Sequence, residues 1–596
     1  MDVYFFINQI DSRHTLMAYQ LLNKVSRRDN PNQRGGETAY LLNTMENLHC
    51  CENEIGIFQR QHDDQLRGGI MEMKQSKIDN TLMWPGVIVT GIIGLLLSLY
   101  PESGKAVVDA LFAILTHNFK WLFLLFGLFC VCFLIWLAMS RWGGIKLGDP
   151  EDEPEFSTYT WAAMIFCAGI GIAIVYWAFI EPVYYLNSSI LHTDPVSQKG
   201  MIGELAGMYG QFHWGITPWA IYALPTFPIA YAIHVKKIPA LRLSSACRGI
   251  IGKKADGFFG KIIDIVVIFA MIGGVGTSLG LAVPLGTALV CEMTGLPESF
   301  SLQVVILVIW TALFTVTVWA GLKKGIAKLA ALNTYIAYFL LIYVFIIGPT
   351  TFILNNWCNS LGLMISDFFK LSLWTDPISN GGFPESWTVF YWAWWVAYAP
   401  MMGLFVARIS KGRTIRQVVV GELVYGSLGC WVFFAIWGGY AINLQTSGAL
   451  DVYTILKESG WSNNITIVAI LKAMTGGKYI FIPIFTVLCS IFLATTLNSA
   501  AYTLSSQVTR QLSGDEEPPR WNRTLWGLIL GLLALGLLST GALKAVQLSS
   551  IVVALPLIPV LLLMVFSLMK WLNEDYGKMV KTEVKALSQA DIKPVL

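Results

Sequence analysis

Residues 386–409 read SWTVFYWAWWVAYAPMMGLFVARI, a stretch with one charged residue, Arg408, close to its end. About 20 predominantly apolar residues are needed for a helix to cross the hydrocarbon core of a bilayer, and this stretch has that length. Hydrocarbon offers the backbone no hydrogen-bonding partner, so a spanning segment must satisfy its amides internally. The polar/apolar alternation of a barrel strand is missing, which leaves the helix. The rest of the chain reads the same way. Of 596 residues, 55% are hydrophobic and 13% charged, against about 25% charged in an ordinary soluble domain. The net charge of +3 gives no ground for a nucleic-acid partner.

Twelve apolar segments of spanning length follow one another from Leu82. They lie near 82–100, 119–140, 158–186, 206–235, 261–291, 302–321, 328–355, 386–409, 419–442, 478–507, 523–541 and 549–571. The expectation is an all-α integral membrane protein with 12 transmembrane helices. Cytoplasmic loops are enriched in Lys and Arg. The loop after span 4 holds Lys236, Lys237, Arg242, Arg248, Lys253 and Lys254. Lys323, Lys324 and Lys328 follow span 6, Arg408, Lys411, Arg413 and Arg416 follow span 8, and Arg510, Arg520 and Arg523 follow span 10. The odd-numbered loops are nearly bare of positive charge. This alternation places both termini of a multi-pass membrane protein on the cytoplasmic side; a plasma (bacterial inner) membrane is the expected location.

Residues 1–78 are polar and charged, and read as a cytoplasmic N-terminal tail of little fold. Met71 and Met73, just before the first span, leave a later start codon as an alternative. Residues 356–385 are amphipathic, and Trp357, Phe368, Phe369 and Trp374 suit a helix lying in the outer membrane interface. Residues 572–596 read as a cytoplasmic C-terminal tail. None of the ten cysteines has the spacing of a zinc site. Cys130, Cys132, Cys167, Cys430 and Cys489 stand in apolar runs and read as small buried hydrophobes.

Function enters with span 8. Trp394, Tyr398 and Met402 fall at i, i+4 and i+8 and share one helix face. Tyr391 and Trp395 form a neighbouring stripe. Aromatic residues also collect at membrane interfaces, but Trp392, Trp394 and Trp395, well inside a span, are denser than a belt requires. Aromatic faces hold a cation that has no hydrogen to donate, such as trimethylammonium. Span 4 adds Gln211, His213, Trp214, Trp219 and Tyr222 in QFHWGITPWAIY, where Gly215 and Pro218 loosen the helix. Span 3 adds Tyr184 and Tyr185. His213 reads as a hydrogen-bonded structural residue rather than a ligand or proton carrier.

Two further features bear on coupling. The run AGIGIA at 168–173 means either close helix packing or an unwound stretch whose carbonyls face a substrate or ion. Thr495, Thr496, Asn498 and Ser499 in FLATTLNSA offer hard oxygens for sodium, unless they bond back to their own helix. Glu181, before Pro182, is an acid costly enough at a membrane segment to be suspected of a role, unless it sits at the wet end. Glu181, Asp264 and Glu422 lie near the ends of their spans, so a proton relay has little to work with. There is no Walker A motif, no HExxH and no nucleophile–base constellation, which disfavours a primary pump or an enzyme. No cofactor is expected, beyond Na⁺ as a candidate coupling ion.

Several segments resemble the betaine/choline/carnitine transporter family. They are AGIGIAIVYWAFIEP (168–182), FHWGITPWAIYALP (212–225), GTSLGLAVPLG (276–286), AGLKKGI (320–326) and GGFPESWTVFYWAWWVAYAPMMGLFVARISKGRT (381–414), with GDEEPP (514–519) also similar. The resemblance covers about residues 75–575 and implies a LeuT-type core of two inverted five-helix repeats. Residues 158–355 would form the first repeat and 386–571 the second, with two additional helices in 79–157. It implies a homotrimer and alternating access around a midplane site. The chain looks most like the carnitine/γ-butyrobetaine exchanger branch, whose substrate site maps onto Tyr184, Trp214, Trp394, Tyr398 and Met402, with Trp219 and Trp395 as further candidates. Several sodium-coupled betaine carriers have Trp at the place of Tyr398. Against the exchanger, Asn333 stands where that branch has an arginine replacing the coupling sodium. The sodium-coupled members imply an ion between span 3 carbonyls, here Cys167 and Ile170, and the hydroxyls of Thr495 and Thr496. The functional expectation is a carrier of L-carnitine or γ-butyrobetaine, then glycine betaine or choline. Its alternatives are ion-independent substrate:product exchange and osmoregulatory betaine uptake.

Overall fold

The computed structural model describes residues 78–590, except 100, 240, 322–325, 511, 513–515 and 540–542. The expected N-terminal tail up to 77, Lys323, Lys324, part of the 514–519 motif and the last six residues therefore lie outside the described residues. What is described is almost wholly helical. In chain order the principal helices are α1 (Asn80–Leu99), α2 (Pro101–Met139), α3 (Thr158–Gly169), α4 (Gly171–Tyr185), α5 (Lys199–Val235) and α6 (Phe258–Thr294). There follow α7 (Phe300–Gly321), α8 (Ala327–Ile347), α9 (Thr350–Leu373), α10 (Pro384–Ile409), α11 (Ile415–Ser447), α12 (Gly477–Gln507), α13 (Arg520–Ser539) and α14 (Leu543–Ala590). Among the described residues nine helices are long and apolar enough to cross a membrane, or 10 when the bent pair α3–α4 is one span. The helices α1 and α13, of 20 residues each, stand where the sequence reading places its first and eleventh spans.

Every residue from Phe390 to Ile409 of α10 is buried. An apolar helix buried all round belongs at the centre of a bundle, and α10 packs against α2, α3, α5, α6, α12 and α14. The apolar helices α7 and α8 instead expose most of their surface, including Val308, Ile309, Val316, Tyr335 and Ile346. The helix α9 lies along α5 and is two-sided, with Ile353, Met364 and Leu371 buried while Ile365 and Phe369 are exposed. The helix α14 runs on through the segment read as a C-terminal tail, as far as Ala590.

The break between α3 and α4 positions the site. The two halves meet at 65°. Gly171 has φ +48°, in the left-handed region that a glycine adopts without the steric cost of a Cβ. Neighbours leave no room for one either, since Thr496 Oγ1 occupies the place of a Cβ on Gly171, and Met402 Cε would lie 2.8 Å from one on Gly169. A broken helix frees carbonyls, and two of them are taken up from elsewhere. The Tyr222 hydroxyl donates to Gly169 O at 3.1 Å, and the Thr496 hydroxyl to Cys167 O at 3.3 Å.

The loop before α3 is clamped to the turn after α10. Leu147 N–H donates to Arg413 O (2.8 Å), Gly412 N–H to Leu147 O (2.9 Å) and Ile415 N–H to Ile145 O (2.9 Å). Opposite charges line the same junction. Arg408 meets Glu155 at 2.8 Å and Lys411 meets Asp152 at 3.5 Å, while Lys237, just after α5, reaches Asp149 of the same loop at 2.9 Å. The pair α3–α4, which carries the helix break, and α10, which carries most of the aromatic candidates, are thus tied together at one end.

Candidate substrate and ion site

The aromatic residues of α10 and α5 close on one another in the interior. Trp394 and Trp395 are stacked, with centroids 4.9 Å apart and planes 10° apart. Trp214, on α5, meets both edge-on, at 6.3 Å and 5.0 Å. Tyr391 stacks on the same pair at 6.1 Å and 5.7 Å. Tyr222 closes the far side, 5.4 Å from Trp395 and 5.9 Å from Tyr398. The ring of Tyr398 packs against Gly274 of α6. All these rings are 3% exposed or less. Met402, one turn further along α10, lies against Gly169 at the break, as does Tyr222.

The sequence candidates separate accordingly. Trp214, Trp394 and Tyr398 come together, and Met402 joins them through the helix break. Trp395 belongs to the cluster too, although its place in the run puts it on a neighbouring stripe, because Trp214 and Tyr222 approach from α5 on that side. Trp392 faces away, against Phe212 at 5.5 Å and towards Gly127 of α2. Trp219 packs between Phe166 (6.3 Å) and Gly426, touching the cluster only through Tyr222 at 5.8 Å. Tyr184 sits in a different group, where its ring meets Trp387 at 5.7 Å and Trp461 at 6.2 Å and its hydroxyl donates to Asn463 Oδ1 at 2.8 Å. That group adjoins the cluster through Trp387, which lies 6.2 Å from Tyr391.

The candidate ion residues gather beside the break. Thr496 faces the carbonyl of Cys167, as above. Thr495 bonds back to its own helix, donating to Phe492 O at 2.9 Å and Ile491 O at 3.1 Å. Ile170 O accepts from Ala173 N–H at 3.1 Å. Asn333, on α8, is fully buried beside the Cys167 thiol, which also approaches Ala330 O at 3.7 Å.

Behind the aromatic cluster lies a polar network that sequence reasoning left unassigned. Glu181 is fully buried, so it is not at a wet helix end. Its Oε2 accepts from Trp214 Nε1–H at 2.8 Å and from the Tyr391 hydroxyl at 2.5 Å. Its Oε1 accepts from the Tyr185 hydroxyl at 2.5 Å. Tyr185 oxygen lies 2.7 Å from His213 Nδ1, and His213 Nε2 lies 3.0 Å from Thr388 Oγ1. With the Tyr185 proton given to Glu181, His213 carries its proton on Nδ1 and donates it to Tyr185, and Nε2 accepts from Thr388. Both ring nitrogens of His213 are thus hydrogen-bonded within the network. The i, i+4 pair Glu181 and Tyr185 is the one local signal of this network. Asp264 and Glu422, placed near span ends by sequence, are buried as well, at 2% and 0% exposure.

A model of the BCCT, betaine/carnitine/choline family transporter, matches residues 81–577. The chain is 34% identical over 471 residues to an uncharacterized transporter, YeaV, of Escherichia coli (strain K12), covering 77% of this chain and 96% of that one. It is also 34% identical over 483 residues to a carnitine transporter of Acinetobacter baumannii, covering 81% and 86%. A solved structure of a Na⁺-coupled sialic acid symporter in a substrate-bound outward-open state aligns with TM-score 0.41 and 14% identity, over 80% of this chain and 92% of that one. That likeness is too loose to bear on the site. Family and sequence relatives are transporters, not enzymes, and the described helices are those of a multi-pass membrane protein. The chain belongs to the betaine/carnitine/choline transporter family.

Proposed function

We propose that this chain is a secondary active transporter of betaine-type quaternary-ammonium solutes, with L-carnitine and γ-butyrobetaine favoured, then glycine betaine or choline. The observation that carries the reading is the buried cluster of Trp214, Tyr391, Trp394, Trp395 and Tyr398. A trimethylammonium group has no N–H to donate, so hydrogen-bond acceptors cannot specify it, whereas aromatic faces attract its charge and accept its methyls. The rings lie against one another, so substrate enters by parting them. Since they stand on different helices, that requires relative motion of α5 and α10, as alternating access between two inverted repeats demands. Met402 would meet the other end of the substrate, and Tyr184 would stand on the route to the cluster. The relative named a carnitine transporter supports the substrate class.

Sodium coupling is part of the proposal. The Cys167 carbonyl and the Thr496 hydroxyl face each other across the helix break, hard oxygens of the kind Na⁺ takes. Ile170 O and the Thr495 hydroxyl would complete the set after Thr495 turns from its own helix. Exchange without sodium needs a resident positive charge there instead, and Asn333 has none. A homotrimer in the bacterial inner membrane, with both termini cytoplasmic, completes the reading, supported by the Lys/Arg distribution and the family resemblance. The test is uptake of labelled γ-butyrobetaine into proteoliposomes. Uptake driven by an inward Na⁺ gradient is expected, whereas equal uptake with and without the gradient, requiring internal substrate, would establish exchange.

A further inference from the structure

The proposed function leaves the carboxyl of Glu181 without a role. An ionisable group inside a membrane segment is costly and rare, and this one has no exposed surface. Trp214 Nε1–H and the Tyr391 hydroxyl converge on Oε2 at 2.8 Å and 2.5 Å, and the Tyr185 hydroxyl reaches Oε1 at 2.5 Å. An indole N–H can only donate; with both tyrosine hydroxyls donating as well, three donors on two oxygens favour the charged carboxylate and oppose the burial that disfavours it. Among the described residues His213 alone approaches as an ion-pair partner, with Nδ1 3.7 Å from Oε1, and both its nitrogens are engaged with neutral hydroxyls. No Lys or Arg among the described residues neutralises Glu181.

Both donors to Oε2 belong to rings of the cluster. Trp214 stands edge-on to Trp394 and Trp395, and Tyr391 is stacked on the same pair. The carboxylate therefore lies one ring behind the surfaces assigned to the substrate. We propose that Glu181 is the positioning residue and counter-charge of the cage: it fixes the planes of Trp214 and Tyr391 and makes the cluster prefer a cation over a neutral group of the same shape. This rests on reading the cluster as a quaternary-ammonium site. The two effects are separable. Orientation of the rings serves any ligand of the right shape, while the charge serves only a cation.

The test uses the full chain in nanodiscs and two ligands of one shape. One is γ-butyrobetaine. The other is 5,5-dimethylhexanoate, in which carbon replaces the ammonium nitrogen. Glu181→Gln is expected to weaken γ-butyrobetaine binding by roughly 10- to 100-fold, the range for removing a unit charge one ring away in a protein-like dielectric. It should leave the carbon analogue unchanged or tighter, so the preference between the two collapses. Glu181→Asp keeps the charge but is too short to hold both donors, and should weaken both ligands while keeping the preference. Tyr391→Phe keeps the ring, removes one donor and should narrow the preference partway, which serves as the test should Glu181→Gln not fold. Equal weakening of both ligands by Glu181→Gln and Tyr391→Phe would reduce Glu181 to a packing role and overturn the proposal, as would unchanged binding. Wild-type protein that binds the carbon analogue but not γ-butyrobetaine would overturn the cage reading itself, and this proposal with it.

Discussion

Replacing Trp394 tests how the cluster binds. The residue is 1% exposed, stacked on Trp395 at 4.9 Å and flanked by Tyr391 at 6.1 Å, Phe390 at 5.9 Å and Trp214 at 6.3 Å. A cation–π contact at a desolvated site contributes about 2 kcal/mol, so Trp394→Ala should weaken substrate binding about 30-fold. The truncation also opens a cavity, which for a buried Trp costs about 3–5 kcal/mol of stability. The second effect could be mistaken for the first, so a companion variant is needed. Trp394→Phe keeps a ring against Trp395 with a weaker quadrupole and a smaller void, and should weaken binding by about 1 kcal/mol, or roughly fivefold. The assay is equilibrium binding of radiolabelled L-carnitine and γ-butyrobetaine to purified protein, with thermal unfolding of each variant as a control. Affinity should fall in the order wild type, Phe, Ala, with unfolding temperatures that leave each variant folded at the binding temperature. A folded Trp394→Ala protein with wild-type affinity would refute the reasoning and remove this ring from the site.

Further outcomes follow from other parts of the structure. Gly171→Ala places a Cβ in the left-handed region, at about 1–2 kcal/mol, and drives it onto Thr496 Oγ1; thermal unfolding in detergent should show a lower midpoint and a smaller gain from added NaCl. Thr496→Ala should raise the Na⁺ concentration for half-maximal uptake more than Thr495→Ala does, because Thr496 already faces the Cys167 carbonyl while Thr495 bonds to its own helix; wild-type Na⁺ dependence in both would place the ion elsewhere. At the start of α1, burial alone would raise the Asp79 carboxyl, but the hydrogen bond from Thr81 and the charges of Arg242 and Arg510 outweigh it and hold the group below its usual 3.8. A depressed carboxylate contributes stability above its unfolded pKa and loses it as pH falls through the folded one. Asp79→Asn should therefore lower the unfolding temperature at neutral pH and change nothing at pH values well below 3.8.

The helices were legible because hydrocarbon leaves an apolar run of about 20 residues little choice of structure. The helix break was legible too, since AGIGIA offers glycine where a positive φ is required, although one sequence could not separate unwinding from close packing. Thr496 on the far helix decides it, by taking up the Cys167 carbonyl. What the sequence could not convey is depth and facing. Glu181 precedes a proline near the end of its span, which leaves a buried role and a wet helix end both open; Tyr185, Trp214 and Tyr391 from three segments close over it. Of the adjacent tyrosines 184 and 185, periodicity alone does not say which turns inward; Tyr185 enters the buried network, and Tyr184 pairs with Trp387 and Trp461. Trp395 joins the cluster for the same kind of reason, because Trp214 and Tyr222 reach it from α5.

The central claim is that the closed aromatic cluster recognises a quaternary ammonium. Uptake into proteoliposomes of L-carnitine, γ-butyrobetaine, glycine betaine and choline, each competed with 5,5-dimethylhexanoate, tests it most directly. The account predicts saturable uptake of one or more of these, weak competition by the carbon analogue, and loss of uptake in Trp394→Ala. Absence of saturable uptake for all four from a folded, reconstituted protein, or uptake that the carbon analogue blocks as well as the ammonium compounds do, would contradict it.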